Sequence, residues 1–165
     1  VAMPTVLFSI GANLGDRQAA LQSVLDAMPG RFTDIEVSRV LQTPPWGYTE
    51  QPAFLNAAVR ARTELTPMET LQFAQECETA AARIRDERWG PRTLDVDIID
   101  YEGVQQTDPV LTLPHPRAHE RAFVLACLAD IDPGIAIPGR GNVLSLLHHV
   151  DTAGIEPVGA LDVPA

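Results

Sequence analysis

Two aspartates, Asp95 and Asp97, stand two residues apart in a stretch that otherwise reads as an apolar strand. Side chains alternate along a strand, so both carboxylates project from one face with their Cα atoms roughly 6.5 to 7 Å apart, while Leu94, Val96 and Ile98 face the other way. Two such carboxylates can share a hard divalent cation or hold a pair of cations about 3.5 to 4 Å apart. The spacing therefore predicts a metal site, although a bare pair of this kind is also typical of the solvated face of an edge strand.

A group of arginines precedes the two aspartates: Arg83, Arg85, Arg88 and Arg92. Guanidinium groups match phosphate oxygens with two parallel hydrogen bonds, and positive charge beside a metal site is what phosphoryl transfer requires. Asp86 and Glu87 interrupt the group, so a surface loop neutralised by its own salt bridges is the alternative. Trp89, followed by Gly-Pro, is either an aromatic on a loop that closes over a ligand or a hydrophobic anchor of that loop.

Five further residues carry side chains suited to binding. Gln75 and Glu78 fall at i and i+3 on one helix face and could address a base or a ribose, or could be an ordinary wet surface. Phe54 and Asn56 share a strand face, which offers a ring to stack on a flat heterocycle and an amide to read its edge; Phe123 could cover the second side of such a ring, whereas Phe54 alone would be a core residue.

Loops contribute two weaker signals. His115 lies between two prolines, where its imidazole could contact a phosphate or fix the loop by a hydrogen bond. The segment Gly11-Ala12-Asn13-Leu14-Gly15-Asp16 resembles a phosphate cradle only weakly, and we interpret it as a turn that ends in a helix N-cap.

Composition limits the class of protein. With 165 residues and 45% hydrophobic content, the chain should form one domain. All twelve basic residues are Arg, so a P-loop is excluded, and the net charge of -10 argues against nucleic-acid binding. Six of the arginines fall between Arg83 and Arg121, which predicts a local positive pocket for a small, highly phosphorylated ligand. No apolar run could span a bilayer and no secretion signal is evident, so we expect a cytoplasmic protein with free cysteines.

Hydrophobic periodicity predicts the elements that must position these residues. Strands are expected at Thr5–Ile10, Ile35–Leu41, Phe54–Arg62 and Leu94–Tyr101. Asp16 should cap a first helix that stops at Pro29-Gly30, and Thr66-Pro67-Met68-Glu69 should open a second that runs to about Ile84. Further helices are expected at Glu120–Ala129 and Asn142–Val150, followed by an irregular tail over 151–165. The order β-α-β-β-α-β predicts an α+β, ferredoxin-like fold: an antiparallel sheet with helices on one face.

The chain resembles the 6-hydroxymethyl-7,8-dihydropterin pyrophosphokinases of folate biosynthesis over about Val6 to Pro138. Five ordered blocks carry this resemblance: SIGANLGDR from Ser9, TPPWG from Thr43, QPAFLN from Gln51, RWGPRTLDVDI from Arg88 and LPHPRAHERAFVL from Leu113. The resemblance implies transfer of a pyrophosphoryl group from ATP to the hydroxymethyl group of the pterin, with release of AMP. We expect a monomer, since no long apolar surface helix demands a dimer.

The resemblance also implies roles for individual residues. Asp95 and Asp97 would bind two Mg²⁺ ions that bridge the ATP phosphates, and Asp95 would also contact the pterin. The arginines match a mobile catalytic loop, with Arg83, Arg85 and Arg92 in catalysis and Trp89 closing over the substrates. The matches on the nucleotide side are Gln75, Glu78, Arg85, Trp89, Arg92, Ile98, Thr112, His115 and Arg121. The matches on the pterin side are Thr43, Pro44, Trp46, Phe54, Asn56, Trp89 and Phe123.

Two other classes of function remain open from the sequence. A non-catalytic ligand sensor could use the same scaffold, since this fold hosts many functions. A metal-dependent phosphohydrolase would use the same aspartates with water as the acceptor.

Overall fold

The structure is a computed structural model that describes residues 3–13, 16–43, 53–84 and 94–164. Its main sheet is antiparallel with the strand order β10-β3-β4-β1-β5, and β2 also pairs with β4. The strands of this sheet are β1 (Thr5–Ala12), β2 (Phe32–Val37), β3 (Val40–Thr43), β4 (Phe54–Thr63), β5 (Asp95–Tyr101) and β10 (Glu156–Gly159). Short hairpins are formed by β6 (Gln106–Thr107) with β7 (Thr112–Leu113) and by β8 (Ala136–Ile137) with β9 (Gly141–Asn142). The predicted ferredoxin-like arrangement is confirmed.

Helices cover both faces of this sheet. They are α1 (Arg17–Ala27), α2 (Pro67–Ile84), α3 (Ala122–Ile131) and α4 (Val143–Leu147). None of the helices in the described ranges is long and apolar enough to cross a membrane.

The first face is the one that the sequence predicted to carry helices. Val6, Phe8 and Ile10 of β1 point into a core with α1 and α2, where the rings of Phe8, Phe32 and Phe73 meet at centroid distances of 4.8 to 6.1 Å. Such edge and tilted contacts add to the stabilisation that the buried apolar area supplies. This core holds β1 and β5 flat against α2.

The second face carries its own core, so the expectation of helices on one face was too narrow. Leu7, Ala58 and Ile99 point away from the first core and pack with α3, in which Leu125 and Leu128 are fully buried. The side of α3 that faces the sheet is apolar, so it must be buried, and the second face of the sheet buries it. Cys127 lies in this core and Cys77 in the first one, and both are free thiols as predicted.

Capping fixes where the first two helices begin, as the sequence predicted. Asp16 accepts a hydrogen bond from the Ala19 backbone N–H at 3.0 Å. Thr66 and Glu69 form a reciprocal capping box, with backbone N–H groups donating to the opposite side chains at 2.9 and 3.1 Å.

The prediction of one continuous strand over Ile35–Leu41 is wrong, because the structure has two strands here, separated at Ser38 and Arg39. The Ser38 hydroxyl accepts a hydrogen bond from the Ala58 N–H at 2.9 Å and donates to the Arg39 carbonyl at 2.8 Å. A side chain thus takes the place of a strand carbonyl, and the edge bends while both halves stay paired to β4.

Three other predicted element bounds are corrected. The irregular tail is wrong at Glu156–Gly159, which forms β10 and pairs with β3. The last helix ends at Leu147 rather than Val150, and α3 begins at Ala122 after a 3-10 turn over Ala118–Glu120.

Asp100 follows an irregularity in β5 and lies opposite Leu7, on the side of the second core. Its Oδ1 atom is buried and has no partner among the described residues. Burial raises the pKa of Asp100 from 3.8 to about 6; a hydrogen bond from the Tyr101 N–H opposes this rise and the charge of Glu102 adds to it.

We expect the free energy of unfolding of Asp100→Asn, relative to that of the parent protein, to increase as the pH rises. The folded pKa exceeds the unfolded value of 3.8, so the cost of ionising Asp100 is absent below that value and complete above about 6. Urea unfolding in metal-free buffer at about pH 4 and about pH 7.5 measures this, since the asparagine does not titrate. A difference between variant and parent that stays constant or falls with pH would contradict the burial of this carboxylate.

Candidate functional site

Strand β1 lies between β4 and β5 and sets the register of the site. Gly11 pairs with Asn56 on one side and with Asp95 on the other, and Ser9 pairs with Ala58 and Asp97 in the next row. Residues directly opposite in paired strands share a face. The predicted amide and the two predicted metal ligands therefore project from the same face of the sheet, on the side of α3.

The alternation predicted for β5 is confirmed. Leu94, Val96 and Ile98 are at most 5% exposed in the first core, whereas the carboxylates of Asp95 and Asp97 project from the opposite face and are partly exposed. A ligand can therefore reach the two carboxylates, while the opposite face of β5 is buried in the first core.

The amide of Asn56 is held in a defined place. Asn56 is only 4% exposed, and its Nδ2 donates a hydrogen bond to the Thr43 Oγ1 at 3.0 Å. Thr43 is in turn the strand partner of Phe54, so all three lie on the site face where β3 meets β4. Arg17 donates to the carbonyl of Ala53, the residue before Phe54, and so ties the start of β4 to α1.

The two predicted stacking rings lie on different elements. Phe54 is partly exposed at the start of β4, and Phe123 is partly exposed in the first turn of α3 while packing against the second core. One ring thus comes from the sheet and the other from the helix that packs on the same face.

The outer edge of β5 is lined by residues of α2. Glu78 accepts a hydrogen bond from the backbone N–H of Val96 at 2.9 Å, and Gln75 lies exposed one turn earlier. Backbone groups alternate in direction along a strand, so the N–H and C=O of Ile98 point to the same outer edge as those of Val96. Because its side chain is buried, Ile98 can serve a ligand only through these backbone groups.

His115 is fixed against the same strand. Its backbone N–H donates to the Ile99 carbonyl at 2.8 Å, and its Nδ1 accepts a hydrogen bond from the Arg117 N–H at 3.1 Å. Burial lowers the pKa of His115, with the charge of Asp97 opposing this shift and that of Arg121 adding to it. An imidazole that accepts at Nδ1 and stays neutral carries its proton at Nε2, where it can donate to an anion.

The other described residues that were predicted for the nucleotide side are Thr112 and Arg121, which lie near His115 in the sequence. The Thr112 hydroxyl in β7 donates to the Asp108 carbonyl at 3.0 Å, which leaves its oxygen able to accept. Arg121 occupies the N-cap position of α3 and is partly exposed. The charges of Asp97 and Arg121 both act on His115, which puts a carboxylate and a guanidinium near one imidazole.

Several predicted site residues lie outside the described part of the chain: Pro44, Trp46, Arg85, Arg88, Trp89 and Arg92. Arg83 belongs to the last turn of α2, and its side chain also lies outside that part. Their roles remain predictions. Gly11 was not among the predicted site residues, because we interpreted its segment as a turn. The available signal was its position at the end of a strand, in a block that carries the family resemblance.

The donor set suits magnesium. No group of three or more His, Cys, Asp or Glu side chains gathers into a metal site among the described residues. Mg²⁺ is commonly held by one or two carboxylates, with substrate phosphates and water completing the octahedron. A pair of accessible carboxylates on one strand fits that mode and does not fit a closed cage.

Comparison with known proteins is consistent with this geometry. Residues 7–133 match the model of the family described as 7,8-dihydro-6-hydroxymethylpterin-pyrophosphokinase (HPPK). A protein of Methylorubrum extorquens named 2-amino-4-hydroxy-6-hydroxymethyldihydropteridine pyrophosphokinase is 43% identical over 94% of this chain and 99% of its own. A protein of the same name from Mycobacterium tuberculosis is 45% identical over 94% of this chain and 89% of its own.

Solved structures share the fold at low sequence identity. A Plasmodium falciparum HPPK-DHPS triple mutant with pteroate superposes with a TM-score of 0.66 at 13% identity, over 88% of this chain and 43% of that one. An HPPK-DHPS in complex with substrates gives a TM-score of 0.70 at 13% identity, over 90% and 43%. The chain thus spans less than half the length of these two.

The family match covers most of the chain, and the close relatives agree with it over nearly their whole length. The chain belongs to the 7,8-dihydro-6-hydroxymethylpterin-pyrophosphokinase family, and the predicted pyrophosphokinase activity in folate biosynthesis is confirmed.

Proposed function

We propose that the chain transfers the pyrophosphoryl group of ATP to 6-hydroxymethyl-7,8-dihydropterin with two Mg²⁺ ions held by Asp95 and Asp97. The observation that carries this proposal is the cross-strand row in which β1 sets the pterin-side amide of Asn56 and the carboxylate of Asp95 on one face. The acceptor and the charged phosphates are thereby assigned to neighbouring parts of one surface.

On the pterin side, Asn56 reads the edge of the ring while Phe54 and Phe123 stack on its two faces. The hydrogen bond from Asn56 to Thr43 supports this role, because it fixes which way the amide is turned. Pro44 and Trp46, which follow Thr43 in the sequence, also contribute to pterin binding, and Trp89 closes over the bound ring.

On the nucleotide side, ATP lies along the outer edge of β5. Gln75, Glu78 and the backbone of Ile98 face the base and ribose, and Thr112, His115 and Arg121 face the phosphates. The bond between Glu78 and Val96 supports this assignment, since it places a carboxylate of α2 directly at that edge.

Asp95 and Asp97 lie where the two ligands meet. Bound there, Mg²⁺ would neutralise the triphosphate and orient it for in-line attack by the pterin hydroxyl. Arg83, Arg85 and Arg92 place positive charge beside the phosphate oxygens and stabilise the negative charge that develops on them during transfer. A positive cluster inside a protein of net charge -10 supports this local role rather than a general affinity for anions. Cytoplasmic location and a monomeric state belong to the same proposal.

Incubation with Mg-ATP and 6-hydroxymethyl-7,8-dihydropterin should yield AMP and the pterin diphosphate in equal amounts, as resolved by ion-exchange chromatography. AMP is diagnostic, because transfer of a single phosphoryl group would leave ADP. ADP as product, or ATP consumption without pterin, would instead favour a kinase or the phosphohydrolase considered above.

Asp97→Asn should lower the rate by about a hundredfold or more, because a metal ligand loses its charge while its shape is kept. The free energy of unfolding in metal-free buffer should not fall, since Asp97 is partly exposed. Asp26→Asn, an exposed position on α1, is the matched control and should retain the parent rate. A marked loss of stability in Asp97→Asn would show that the aspartate is structural.

His115→Ala should raise the KM for ATP about tenfold and leave the KM for the pterin within about twofold, because it removes one donor to a phosphate. His115→Gln keeps a neutral donor and should recover part of the loss. His149→Ala, an exposed histidine after α4, is the control. Equal losses for ATP and pterin would contradict the placement of His115 on the nucleotide side.

A further inference from the structure

Gly11 occupies a place in the site floor that would not tolerate a side chain. It lies in the middle of the row Asn56–Gly11–Asp95, and its neighbours Ile10 and Ala12 point into the first core. By alternation, a Cβ at residue 11 would project toward the site face, between the amide and the carboxylate.

The space above Gly11 is taken by the amide of Asn56. A Cβ built on Gly11 would lie 2.8 Å from the Asn56 Oδ1 and 3.9 Å from its Cγ. The amide is not free to swing away, because Asn56 is only 4% exposed and its Nδ2 is bonded to Thr43 at 3.0 Å. Any side chain at residue 11 must therefore turn the amide, break its bond to Thr43, or both.

The glycine is not explained by backbone strain. Among the described residues, the glycines with positive φ are Gly30, Gly103, Gly139, Gly141 and Gly154, and Gly11 does not belong to this group. Within strand β1 an alanine could adopt the same extended backbone, so the reason for glycine is the contact with Asn56.

We propose that Gly11 is a positioning residue for pterin recognition. Because Gly11 has no Cβ, the Asn56 amide can lie against β1, and the surface between that amide and Asp95 stays accessible. The inference rests on the proposed function, since it assigns the ring of the pterin to this surface. Gly11 acts through Asn56 and makes no contact of its own with the reacting atoms.

A double-mutant cycle tests this. Gly11→Ala, Asn56→Ala and the double variant are titrated with 6-hydroxymethyl-7,8-dihydropterin in the presence of Mg²⁺ and a non-hydrolysable ATP analogue, and the analogue alone is titrated in parallel. Gly11→Ala should weaken pterin binding about tenfold and leave the affinity for the analogue within about twofold. In the Asn56→Ala background, where the oxygen that would clash is gone, Gly11→Ala should change pterin binding by less than about twofold.

Thermal unfolding of the same four proteins without ligand gives a second, independent cycle. Gly11→Ala should lower Tm when Asn56 is present and not when residue 56 is alanine, so the test survives even if pterin binding to the Asn56→Ala variants is too weak to measure. Gly159→Ala is the matched control, because a Cβ there would meet the Gln18 Oε1 of α1 at 3.0 Å, outside the site. It should leave both affinities unchanged.

The outcomes separate the inference from the function on which it rests. If the parent protein makes no AMP from ATP and the pterin, the proposed function fails. If the parent is active but Gly11→Ala binds pterin like the parent, or loses affinity for pterin and nucleotide in parallel, or adds its full loss to that of Asn56→Ala, the positioning role of Gly11 is overturned.

Discussion

The site depends on the hydrogen-bonded register of β1 between its two neighbours. The residues proposed to read the acceptor are on β3 and β4, and the residues proposed to hold metal are on β5, so no single element contains both. Strand β1 joins them, and a slip of one residue in either ladder would turn half of the site toward the first core. The buried side chains of β1 on both faces make such a slip costly, because Val6 and Phe8 would have to exchange places with Leu7.

The two cores have different relations to the site. The first, between the sheet and α1 and α2, packs against the face of β5 opposite to Asp95 and Asp97; it also brings Glu78 to the edge of that strand. The second, beneath α3, lies on the site face and ends where Phe123 and Arg121 begin the helix. The proposed ligands thus occupy the part of this face that α3 leaves uncovered, while its remainder is filled by Leu125 and Leu128.

Electrostatics assign different tasks to groups that are close in space. His115 is kept neutral by burial and by a hydrogen bond to its Nδ1, so it can donate a proton in a hydrogen bond without adding charge. Burial raises the pKa of Asp100, three residues beyond Asp97 on the same strand, to about 6. Strand β5 thus carries two partly exposed carboxylates toward one end and, further along, a carboxylate with a buried oxygen that has no partner among the described residues.

Local patterns in the sequence were enough for part of this structure. The alternation of Asp95 and Asp97 against buried Val96, and the capping box of Thr66 and Glu69, depend only on neighbouring residues. The break at Ser38 and the strand β10 could not be predicted this way, because each depends on a partner strand distant in sequence. Pro157 also argued against a strand at β10, since proline is rare within strands. The contact between Gly11 and Asn56 is a tertiary approach that no spacing within one segment contains.

The central claim is that Asp95 and Asp97 jointly hold divalent cations against the triphosphate of ATP. A crystal grown with a non-hydrolysable ATP analogue and Mn²⁺ tests it directly, because manganese is located by its anomalous scattering. The account predicts two anomalous peaks about 3.5 to 4 Å apart, each within coordination distance of an oxygen from this pair and of a phosphate oxygen. Bound nucleotide with both carboxylates facing solvent, and no anomalous peak beside them, would contradict it.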